Sequence, residues 1–178
     1  MSASVSVPRG EPDRTPVGTA LPFGASAVLP ASAFALTGPL AMFTVTGITR
    51  GAGLPDSTTQ GGTPYFIYLT VTSLADRPLP PPRSIGFAGS VDGTTPSLTI
   101  PPPAGVSKCA AATLPETMRR GESYSTCLVS MADPDKKLEQ VIYWADTTTQ
   151  PELDYQKSPI VWRSPTSSAA PSSTPAAG

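Results

Sequence analysis

The sequence contains no histidine. Ser/His/Asp hydrolysis, histidine acid–base catalysis and the common histidine metal sites are therefore closed to it. Cysteine is nearly absent too, with only Cys109 and Cys127. No CxxC spacing exists for a redox motif, and two sulfurs do not fill a zinc site. Charged residues make up 14%, well below the usual quarter. The net charge of −1 gives no electrostatic case for nucleic acid or for an anionic membrane surface. No run is long and apolar enough to span a bilayer. No stretch has convincing helical amphipathicity, and the opening "MSASVSVPRGEPDRTP" lacks the basic and apolar blocks of a signal peptide.

What is abundant is proline, at 23 residues, together with threonine and small side chains. That composition describes a strand-and-loop protein of a kind frequent outside the cytoplasm. An extracytoplasmic location is expected, with any leader or lipid anchor absent from this chain. Pro8, Pro12 and Pro16 break up the start, so residues 1–20 are expected to form a flexible arm. The Pro/Ala/Ser/Thr tail, residues 164–178, cannot bury enough apolar surface to offset the entropy of ordering it. Residues 21–163 remain for one core.

Within that span the pattern is period two, punctuated by Gly, Pro and Asp. "FGASAVL" (Phe23–Leu29) reads as a first strand. "AMFTVTGITR" (Ala41–Arg50) alternates up to a bulge at Gly47. "PYFIYLTVTSL" (Pro64–Leu74) is bulky on both faces near its start, which predicts a mid-sheet position. Ser84–Gly93, Ser97–Ile100, Ser123–Met131, Leu138–Asp146 and Pro159–Arg163 complete the set. Seven to nine short strands with turns between them predict an all-β fold, an antiparallel sandwich. "LADRPLPPPR" between two of them is expected to stay outside the ladders, because four of its residues lack an N–H.

Cys109 precedes the connection that leads back to Cys127 on a strand, and the turn-like "MRRGES" lies between them. A bridge is the expected state and implies an oxidising compartment. Free, buried thiols are the alternative.

Several segments are similar to those of the bacterial, actinobacterial-type secreted immunoglobulin-like modules of the DUF4352 or telomeric-repeat-like lipoprotein group. "YFIYLTVTSLADRPL" resembles their long aliphatic strand and following loop. "GFAGSVDGTTP" resembles their strand ending in Asp-Gly. "LPETMRRGESYSTCLVSMADPDKKLEQVIYWAD" and "PIVW" are similar to their later strands and closing segment. Arg119–Ser123 stands where a Pro-Gly-Glu turn is usual, and Thr72–Pro78 lacks the common Asn. The resemblance implies an immunoglobulin-like sandwich at the cell envelope, secreted or lipid-anchored, without enzymatic activity. It carries over no catalytic residue.

Other motifs favour plain readings. Pro78-x-x-Pro81-x-Arg83 has the spacing of a polyproline II ligand, but a stiff exposed loop accounts for it. Asp133, Asp135 and Glu139 are too few for a calcium loop. Lys108, Lys136, Lys137 and Lys157 all stand in polar, loop-like stretches that do not suit a Ser–Lys pair. No catalytic residue, metal or cofactor is expected. Among the aromatics, Trp144 is expected in the core. Tyr155 and Trp162, flanked by polar and proline-rich sequence, are expected on a binding surface. The functional expectation is a non-catalytic binding or scaffold module with a protein partner. The alternative is a carrier of a small apolar or glycan ligand held between the sheets.

Overall fold

The computed structural model describes residues 6–34, 38–145 and 150–165. Among the described residues nine strands, numbered in chain order, make two facing sheets. The first runs β1 (Ala20–Pro22), β9 (Ile160–Arg163), β8 (Gln140–Tyr143), β5 (Phe87–Ser90). The second runs β2 (Ser26–Pro30), β3 (Leu40–Arg50), β4 (Thr63–Ser73), β7 (Ser123–Ala132), β6 (Thr99–Ile100). This is an immunoglobulin-like β-sandwich. Among the described residues there is one α-helical turn, α1 (Asp56–Thr59), which buries no side chain, and one 3-10 turn at Pro151–Leu153.

The alternation in the sequence decides which face goes inward. Ile67, Leu69 and Val71 of β4 join Phe43 and Val45 of β3 in the main core. Phe66, on the other face of β4, packs with Val129, Met131 and the two cysteines. β4 therefore buries both faces and lies between β3 and β7, as its two bulky sides require. The β3–β4 register shifts between Val45 and Gly47, at the expected bulge. From the first sheet, Phe87, Tyr143 and Trp162 enter the same core. The Phe87 ring lies 5.2 Å from Phe43, 5.1 Å from Tyr143 and 5.8 Å from Trp162, all tilted. Such offset ring contacts add to the gain from burial alone.

Two features depart from the expected pattern. β1 lies outside the expected strands, and it pairs with β9 in parallel, whereas the other strand pairs among the described residues are antiparallel. Residues 6–20, read from sequence as a flexible arm, run along the body. Thr15 N–H donates to Val28 C=O at 2.9 Å on the outer edge of β2, and Gly18 N–H to Ser158 C=O at 2.8 Å. The half-buried Arg120 donates to Pro8 C=O at 2.9 Å and also to Gly10 C=O. The tail expected from Ser164 lies outside the described residues beyond Pro165.

The proline loop also differs. Leu79, flanked by prolines but keeping its own N–H, forms a two-bond bridge with Met118, at 3.1 and 2.8 Å. The "VDG" turn after β5 closes as an Asx turn. Asp92 accepts from Thr94 N–H at 2.8 Å, Thr95 N–H at 2.7 Å and Thr95 Oγ1 at 2.8 Å. Those donors hold its carboxyl well below the usual carboxylate range.

Candidate functional site

Cys109 and Cys127 are joined in a disulfide, and both are buried. Cys127 sits on the β7 face that points away from the main core. The bridge pins the long β6–β7 connection to that face, where Val106 and Phe66 complete a second small core.

Beside the bridge lies an open groove of about 350 Å³. It exists because the two sheets end at different places. β5 has four residues and β6 only two, while β7 has ten. Much of β7 is thus left without β6 along its edge and without β5 across from it. Tyr124, Thr126 and Leu128 of β7 line one side, and Phe87 lines the other. Ile85 and Leu114 stand at the mouth, 44% and 38% exposed. The lining contains no Asp, Glu or Lys, and its one charged side chain is Arg83. Tyr124 donates its hydroxyl hydrogen to Pro82 C=O. Burial pushes the Tyr124 phenol up to about 12, with Arg83 acting in the opposite direction. With the Tyr124 proton already given to Pro82, the groove offers a phenol oxygen as acceptor, one guanidinium and apolar walls, which suit recognition.

The two residues expected on a binding surface are not there. Tyr155 and Trp162 are each 0% exposed. Trp162 Nε1 donates to Ala25 C=O at 2.9 Å, and Tyr155 Oη to Thr15 C=O at 2.6 Å. The arm and β2 supply the acceptors that let these aromatics be buried with their polar tips satisfied. Trp144, expected in the core, is only half-buried. It follows Tyr143, the last residue of β8. Asp133, Asp135 and Glu139 are exposed around the β7–β8 turn, and no group of three metal-ligating side chains occurs among the described residues. No helix among the described residues is long and apolar enough to cross a membrane.

The groove residues Arg83, Ile85, Leu114 and Tyr124 escaped the sequence reading. The one usable signal was the triple proline after "SLTI", which cuts β6 short beside a long strand. No family model matches the chain, and no curated protein matches it. The likeness to the lipoprotein modules therefore rests on the quoted segments alone. Among solved structures the chain is similar to the secreted protein MPT63 of Mycobacterium tuberculosis. The TM-score is 0.54 over 81% of this chain and 95% of that one, at 13% identity. At that identity the similarity establishes the β-sandwich and nothing finer.

Proposed function

We propose that the chain is a non-catalytic binding module working outside the cytoplasm at the cell envelope, secreted or lipid-anchored, with a protein as its partner. The observation that carries this reading is the groove: apolar, open, walled by the disulfide-bearing strand and free of carboxylates. A bridge of this kind persists in oxidising compartments. The secreted state of the structural neighbour supports the same location. The carrier alternative has less support, because the rings of Phe43, Phe87, Tyr143 and Trp162 fill the space between the sheets.

The test is photocrosslinking in the native host. A photoreactive residue is placed at Ile85, at Leu114, or at Lys157 on the loop into β9 as a control. The expected result is one discrete protein adduct from both groove positions and none from Lys157. Adducts that are absent, or identical from all three positions, reject the groove as the docking site. A saturable hydrolytic activity lost on mutation of a single carboxylate would reject the non-catalytic reading itself.

A further inference from the structure

We propose that the groove takes an extended apolar segment of the protein partner as an added strand on β7, with an Asp or Glu at the segment's C-terminal end paired to Arg83. This rests on the binding-module reading and specifies what is bound.

The ladder fixes which main-chain groups face the groove. Met131 N–H donates to Leu98 C=O at 2.8 Å, and Ser73 N–H to Glu122 C=O at 2.9 Å. Odd-numbered residues of β7 therefore turn their N–H and C=O toward β6, and even-numbered ones toward β4. β6 pairs only with Ser130 and Val129. Pro101–Pro103 stop it there, since proline offers no N–H to a ladder. Cys127, next along that edge, presents its N–H and C=O where no strand follows. Neither group has a partner among the described residues.

A second main-chain pair opens from the other wall. Trp144 N–H donates to Gly86 C=O at 3.0 Å, so Phe87 and Gly89 of β5 face away from β8. Gly89 satisfies itself within the protein: its N–H reaches Ser130 Oγ at 3.1 Å, and its C=O accepts from Ser97 N–H at 2.9 Å. The N–H and C=O of Phe87 are left open at the groove. Half-empty strand edges are templates for another chain, and apolar walls on Leu128 and Ile85 suit the alternating side chains of an apolar strand.

Direction and charge select the occupant. Thr99 lies opposite Ser130 and Ile100 opposite Val129, so a strand continuing the course of β6 runs toward Tyr124. Its C-terminal end arrives beside Tyr124 and Arg83, which line the same groove. Arg83 is exposed and has no ion-pair partner among the described residues. A carboxylate at that end would complete it. The groove is open there, so the added chain passes on into solvent and the carboxylate is that of an acidic side chain.

The experiment pans the full-length, disulfide-bonded chain against a displayed library of short linear peptides. The expected winners alternate apolar with polar residues and carry Asp or Glu toward the C-terminal end. A synthetic winner slows amide hydrogen exchange at Cys127 and Phe87. Arg83→Glu weakens binding about tenfold or more, and Ile85→Asp, at an exposed site, weakens it without loss of fold. N-methylation of alternate peptide residues abolishes binding in one phase and not the other. Failure to enrich any peptide overturns the proposal. So do winners indifferent to Arg83→Glu, and winners that leave the Cys127 amide unchanged. If groove photoadducts form while these outcomes hold, the binding module stands and only strand addition falls. If neither appears, both fall.

Discussion

Tyr124 links the groove to the stability of the fold. Its phenol keeps its proton in the folded chain up to about 12, while an unfolded tyrosine loses it near 10. Between those values the folded state binds more protons, so stability falls as pH rises through that window and is unaffected below it. Urea midpoints measured across this range should decline more steeply for the native chain than for Tyr124→Phe. Gly89 is a second sensitive residue. A Cβ there would stand 2.6 Å from Leu138 Cδ1 and 2.9 Å from Ser130 Oγ, pushing apart the contact between β5 and β7. Gly89→Ala should cost about 1–3 kcal/mol of unfolding free energy, read from denaturant midpoints at unchanged slope. At this scale the sequence is least legible. Trp162 and Tyr155 are buried because Ala25 and Thr15, more than a hundred positions away, accept their hydrogen bonds. Flanking polarity carries no trace of such partners. Arg83 and Tyr124 likewise meet only through the folded loop.

At the scale of elements the sequence speaks more clearly. Alternation located β3, β4 and β7, the bulge near Gly47 and the central place of β4, because a strand buried on both faces needs bulk on both. β1 escaped because three residues, "ALP", hold too little pattern to register. The proline loop joined Met118 through Leu79, since one free N–H and C=O suffice for a bridge. The β6–β7 connection depends on its covalent tie. Replacing both Cys109 and Cys127 by Ala should remove about 3 kcal/mol by freeing the unfolded chain. It should also loosen Val106 and Phe66, the cluster the bridge completes. Unfolding of the oxidised, reduced and doubly substituted chains in urea measures it. The reduced and substituted forms should agree with each other and fall below the oxidised one.

Across the whole molecule, the arm and the groove lie at opposite ends of the second sheet. The arm covers the outer edge of β2 through Thr15 and is held by Tyr155 and Arg120. Deleting residues 1–17 should lower the melting temperature and expose that edge to self-association, seen as concentration-dependent light scattering. The groove edge, by contrast, stays open beside β7. One edge is thus covered by the arm, while β6 covers the other only at Ser130 and Val129, which is the asymmetry the proposed strand addition uses. The sandwich was legible because period-two patterning and turn residues are local. The groove was not, because it arises from where strands in different sheets happen to stop. The most direct measurement is the intact mass of the natively produced protein, alkylated on lysis with and without prior reduction. The account predicts that Cys109 and Cys127 label only after reduction. Labelling of both without reductant would contradict it, placing the chain in a reducing compartment.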